Sequence, residues 1–138
     1  MKKSIRVSFS FLFLVVIAFV SCTKTDTTTP SSDDRAKFIG DWSVHEIHNK
    51  GDYSVTIKTD PNEASRVLID NFGNLVYGNK ATAYISGNSI ILDQGQVVSN
   101  MTIISGSGTM TGTTKISWTY SMTDGATRTD ATATYTKK

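Results

Sequence analysis

His45-Glu46-Ile47-His48 gathers the only two histidines of the chain around a carboxylate, which is where metal chemistry would first be sought. The residues on either side alternate between apolar and polar, as a β-strand does. Residues three apart on a strand face opposite sides, so His45 and His48 cannot share one ion, and no metal site is expected. Glu46 and His48 fall on the side of Trp42 and Val44. They are expected to reach solvent as the strand runs out, because charged side chains are rarely buried without partners. Asp70 and Asp93 lie near strand ends and are expected to be solvated rather than to form an acid pair. Gly106-Ser107-Gly108-Thr109-Met110-Thr111-Gly112 misses the dinucleotide fingerprint G-x-G-x-x-G by one position and sits in a strand run rather than before a helix. Its glycines suit a bend or bulge at a sheet corner. No G-x-S-x-G nucleophile elbow occurs. Neither an enzyme nor a cofactor is expected.

One cysteine remains, Cys22, at the end of an apolar run. A basic start (Lys2, Lys3, Arg6), an apolar core from about Val7 to Val20 and small Ser21 make residues 1–21 an export signal. The core is too short for a membrane helix, which needs roughly 20 apolar residues. Phe19-Val20-Ser21-Cys22 resembles the lipobox of bacterial lipoproteins, in which the cysteine is lipidated and becomes the new N-terminus. That resemblance implies a chain held to a membrane of the cell envelope through Cys22, with the outer membrane the expected one. No strong acidic cluster follows Cys22 to argue for surface export.

Loss of the leader changes the charge argument. The full chain carries +2, but removing Lys2, Lys3 and Arg6 lowers 14 basic residues to 11, against 12 acidic ones. No basic stripe is left to attract phosphates, so nucleic acid is not expected as a partner. With its one cysteine spent on the anchor, the folded part has no internal disulfide and must be held by packing. Residues 22–35 are almost wholly polar after the cysteine and read as a tether. Asp26-Thr27-Thr28 resembles a short bacterial O-glycosylation acceptor, and an unmodified spacer is the simpler reading.

Residues 36–138 then form one domain whose period is two. Eight runs of β-branched and aromatic residues, from "WSVHEIH" through "YSVTIKT", "RVLIDNF", "ATAYIS", "SIILD", "MTIISGSGTM" and "KISWTYSM" to "ATATYT", are punctuated by turn residues such as Gly87-Asn88 and Asp124-Gly125. Before them, Asp33 or Asp34 is placed to cap a single helical turn through Ala36-Lys37-Phe38. Trp42 and Val44 share a face; so do Tyr53, Val55 and Ile57; so do Ile116, Trp118, Tyr120 and Met122; and so do Ala131, Ala133 and Tyr135. One apolar face per strand with short sequential turns predicts an all-β, small eight-stranded up-and-down barrel. A β-sandwich is the competitor, and only residues 72–81 offer the longer crossing it needs.

Phe38-Ile39-Gly40-Asp41-Trp42-Ser43-Val44, Tyr53-Ser54-Val55-Thr56-Ile57, Asn71-Phe72-Gly73, Ser105-Gly106-Ser107-Gly108-Thr109 and Ala133-Thr134-Tyr135-Thr136-Lys137 together resemble the pattern of short lipocalin-like bacterial lipoproteins. The resemblance covers residues 38–136 and implies a barrel with Trp42 plugging its closed end. That family is mostly without an assigned activity, and this domain is shorter than a typical lipocalin. Two functions of different class follow. In one, the barrel binds a small apolar or amphipathic molecule through its open end, lined by Trp42, Tyr53, Val55, Trp118 and Tyr120. In the other, side chains fill the interior, and the Thr-rich exterior serves as a tethered interaction module for protein or glycan. Trp118 and Tyr120 could stack on a flat ligand, but two apart on one face is also how a core is built.

Overall fold

The alternation along the chain closes on itself in space. The computed structural model describes residues 32–47 and 51–138. After a short helix, α1 (Ser32–Ala36), come strands β1 (Gly40–Ile47), β2 (Gly51–Thr59), β3 (Arg66–Asp70), β4 (Lys80–Ser86) and β5 (Ser89–Leu92). They are followed by β6 (Val97–Val98), β7 (Met101–Thr111), β8 (Lys115–Thr123) and β9 (Arg128–Lys137). Each strand of the wall pairs antiparallel with its neighbours in the order β5-β4-β3-β2-β1-β9-β8-β7, and β5 pairs with β7 to shut the ring. This is the eight-stranded up-and-down barrel, and closure leaves no sandwich to consider. The ninth strand, β6, lies outside the ring: it is a two-residue hairpin arm paired only with the start of β7.

The inward positions are those the period assigned. Trp42, Val44, Val55, Ile57, Ile116, Trp118, Tyr120, Met122, Ala131, Ala133 and Tyr135 are all buried. One irregularity corrects a simple alternation. The register of β7 against β8 slips between Ile103 and Ser105, so Ile103 points inward above the bulge while Gly106, Gly108 and Met110 take the inward parity below it. Gly106 and Gly108 then do something other than bend the strand. A Cβ on Gly108 would stand 2.7 Å from Trp118 Cε2 and 2.8 Å from Ile90 Cγ2; one on Gly106 would collide with Leu92 and stand 2.9 Å from Tyr120 Cβ. Their missing side chains let β7 close over the large rings of β8.

Each end is stoppered. At the α1 end, Phe38 is fully buried and its carbonyl accepts the Trp42 indole N–H at 2.9 Å. Lys137 lies with its ammonium 5.4 Å from the Trp42 ring centroid and donates to the Lys37 carbonyl at 3.0 Å. Trp42 therefore sits at the α1 end of the barrel, under Phe38 and Lys137. The helix begins earlier than the sequence suggested: residues 32–35 belong to α1 rather than to the tether, and Asp33 and Asp34 lie within it. At the other end, the β3–β4 connection dips into the barrel. Asn71 adopts a left-handed backbone (φ 62°) and anchors to the Ser54 carbonyl at 2.8 Å, while Phe72 drops inside. The Phe72 ring sits 5.5 Å from that of Trp118 and 4.7 Å from that of Tyr120. The stretch 72–81 is thus a stopper for the barrel mouth, not a sandwich crossing.

Candidate functional site

Between the two stoppers the described residues place a polar cluster in the interior. Glu46 keeps the inward parity of Trp42 and Val44 to the end of β1 and is only 4% exposed, so it does not run out into solvent as expected. Its burial is compensated by donors. Tyr53 Oη donates to Glu46 Oε2 at 2.8 Å and Tyr120 Oη donates to the same oxygen at 2.6 Å. Two phenol O–H groups on one carboxyl oxygen are among the stronger hydrogen bonds a protein makes. The register explains why they meet. Tyr53 is the cross-strand partner of Val44, one inward position along from Glu46. Tyr120 reaches across from β8, two strands away beyond β9.

Tyr135 and Trp118 complete the cluster. Their rings lie 5.5 Å apart. Among the described residues the buried Tyr135 hydroxyl and the buried Trp118 indole N–H have no hydrogen-bond partner. Burial is the leading reason that Tyr53, Tyr120 and Tyr135 all hold their protons well above the ordinary phenol range. For Tyr120 the next cause is its bond to Glu46; for Tyr53 it is the charge of Tyr120, and for Tyr135 the charge of Tyr53. The phenols are therefore fixed donors rather than proton shuttles at neutral pH. What the arrangement can do chemically is hold a carboxyl group rigidly inside an apolar barrel and offer two unspent polar groups nearby.

Of the five residues expected to line a ligand cavity, Tyr53 and Tyr120 are brought together through Glu46, with Trp118 in the same cluster. Trp42 is at the opposite, α1 end, and Val55 is core. Trp42, Val55, Trp118 and Tyr120 are each no more than 2% exposed; Tyr53 is half-buried. His45 points outward and pairs with Asp52 at 2.7 Å on the exposed face of the hairpin. His48 lies outside the described residues, as do the leader, Cys22 and the acceptor-like Asp26-Thr27-Thr28. Asp70 and Asp93 serve separate structural ends: Asp70 accepts the Gly78 N–H at 2.8 Å, and Asp93 takes Arg66 at 2.5 Å and the Thr82 hydroxyl at 2.7 Å. Among the described residues no group of three or more metal-ligating side chains occurs. The residue that sequence reasoning missed is Glu46. Its parity was the signal, together with three inward tyrosines able to donate to it. Comparison of the chain with protein-family models, with curated proteins and with solved structures gives no match.

Proposed function

We propose that this chain is a bacterial envelope lipoprotein, anchored through a lipid on Cys22, whose non-catalytic barrel works by its outer surface as an interaction module for protein or glycan. One observation carries the reading. The lumen is taken up by Trp42, Trp118, Tyr120, Tyr135, Phe38 and Phe72, with aromatic stoppers at both ends. A small eight-stranded barrel has room for little more. The leader and Phe19-Val20-Ser21-Cys22 support the anchor, since a tethered domain of this size needs only its exposed face to engage a partner.

A second reading, carriage of a small apolar or amphipathic molecule inside the barrel, is favoured by the unpartnered Trp118 N–H and Tyr135 O–H beside Glu46. A buried polar group without a partner costs about 1–3 kcal/mol, which a ligand that hydrogen-bonds to it would recover. Native mass spectrometry of the protein, purified gently from its own envelope, separates the two. A bare mass is expected. A stoichiometric extra mass beyond the lipid modification would overturn the module reading in favour of the carrier.

A further inference from the structure

The outer face of the barrel carries an uninterrupted row set by register. Arg66 faces Tyr84 across β3–β4, Tyr84 faces Ile91 across β4–β5, Ile91 faces Ser107 across the closing seam, and Ser107 faces Thr119 across β7–β8. Tyr84 is 40% exposed, a large ring left on the surface. Past Ile91 the wall parts. β5 ends at Leu92 while β7 continues, and the chain turns away through Asp93 and Gln94 before the Gly95 N–H meets the Ile103 carbonyl at 2.8 Å. The parting coincides with the bulge at Ile103–Ser105, and bulges often sit beside functional sites because they re-aim side chains. It leaves an open groove of about 340 Å³ lined by Ile91, Gln94, Ser105, Gly106, Ser107 and Thr119.

The rim of this groove is tied together by hydrogen bonds. Gln96 Nε2 donates to the Thr82 and Asp93 carbonyls at 2.7 and 2.8 Å, and Gln96 Oε1 accepts the Thr82 N–H at 2.7 Å. Arg66 and Asp93 neutralise one another beside it. Gln94, Ser105, Ser107 and Thr119, by contrast, have no side-chain hydrogen bond among the described residues. The lining thus holds an amide and three hydroxyls with their donors and acceptors unspent, an apolar floor at Ile91, and an exposed ring alongside.

We propose that this groove binds a neutral saccharide, an inference that rests on the outer-surface reading above. The chemistry of the lining matches that of a sugar. A pyranose ring has an apolar C–H face that packs on an aromatic ring and an aliphatic side chain, here Tyr84 and Ile91. Its hydroxyls each need a donor and an acceptor, which Ser, Thr and Gln side chains supply together. No ionised side chain lines the groove, so an anionic or cationic ligand finds no counter-charge, while an uncharged polyol pays no penalty for burying one. Beyond Thr119 the exposed hydroxyls of Thr132, Thr109 and Ser117 continue the same surface, giving further sugar units of one chain a place to lie.

The test is amide chemical-shift mapping of the full chain in detergent micelles, titrated separately with cellohexaose, N-acetylchitohexaose, maltohexaose and laminarihexaose. At least one is expected to bind with a Kd in roughly the millimolar range or tighter, with shifts centred on Ile91, Gln94, Ser105, Ser107 and Thr119. Tyr84→Ala is expected to weaken that binding about tenfold. Gln94→Ala, at an exposed position that supports no other group, is expected to weaken it several-fold with thermal stability unchanged. Absence of shifts with all four at about 20 mM, shifts confined to another face, or binding retained in both variants would overturn the proposal. The two levels separate cleanly: a bare native mass with no saccharide shift sinks only the saccharide, whereas a stoichiometric interior ligand sinks the outer-surface reading itself.

Discussion

Replacing Glu46 by methionine, which is similar in length and cannot accept a hydrogen bond strongly, strips Tyr53 and Tyr120 of their shared acceptor. Tyr120 is 2% exposed and has no route to water, so its stranded hydroxyl costs about 1–3 kcal/mol; Tyr53 is half-buried and can be partly rehydrated. Against this stands the removal of a buried carboxyl group, whose desolvation is itself unfavourable. The net expectation for Glu46→Met is a loss of about 2–3 kcal/mol, a large share of the 5–15 kcal/mol typical of a domain. Tyr120→Phe removes one of two donors and should cost about 1.5–3 kcal/mol. The decisive variant is the double one. With both partners gone no stranded donor remains at Tyr120, so Glu46→Met/Tyr120→Phe should be more stable than the sum of the single losses by at least about 1 kcal/mol. Adding Tyr53→Phe should bring stability back towards the native value, because an apolar replacement of a whole buried polar cluster is often neutral. Urea unfolding followed by tryptophan fluorescence measures this well, since both tryptophans of the chain are core residues. Additivity within about 0.5 kcal/mol, or a Glu46→Met variant more stable than the parent, would refute the reasoning.

Alkaline pH should unfold the barrel in a defined way. Tyr53, Tyr120 and Tyr135 bind their protons more tightly folded than unfolded, where the value is about 10. Their contribution is therefore complete below pH 10 and is lost above it, by up to about 1.4 kcal/mol per pH unit for each of the buried Tyr120 and Tyr135 and by less for Tyr53, which is half-buried and screened by solvent. Unfolding curves from pH 8 to 12 should show this fall, with a shallower slope in Tyr135→Phe; a flat profile would contradict the burial of the phenols. Gly108→Ala should destabilise by about 1–3 kcal/mol in urea melts, because its Cβ has no space between Trp118 and Ile90; a neutral result would show that β8 can retreat. Cys22→Ser should abolish incorporation of labelled palmitate and leave the precursor unprocessed in membranes of the source cell, and unchanged maturation would remove the anchor.

Much of the barrel was legible because period two leaves little freedom once strands are short and sequential. Trp118 and Tyr120 on one face, with Thr119 opposite, already fix the inside and outside of β8. The features that were not legible depend on contacts between distant strands. Glu46 looked solvent-bound because charge outweighs parity when no partner is visible, and its partner Tyr120 is 74 residues away. The bulge at Ile103–Ser105 could not be placed, since Ile103-Ile104 reads equally well in either parity until β8 sets the register. Phe72 read as the end of a strand because nothing in Asn71-Phe72-Gly73 announces that the left-handed Asn71 will turn its ring into the mouth. The groove was invisible for the same reason: Ile91, Gln94 and Ser107 become neighbours only when β5 closes on β7.

Interior and exterior are not independent in this barrel, and β7 is where they are coupled. Ser107 faces out between Gly106 and Gly108, which face in and lie directly against Tyr120, Trp118, Leu92 and Ile90. The aromatic fill therefore sets how deeply β7 sits, and the depth of β7 sets the position of Ser105 and Ser107 in the groove. On the opposite side the Arg66–Asp93–Thr82–Gln96 network fixes where Gln94 leaves the wall. A groove whose floor and rim are both held before a ligand arrives loses little entropy on binding, which is the condition under which a few hydroxyls and one ring suffice for recognition. The filled lumen is the packed backing of this shallow groove of uncharged side chains.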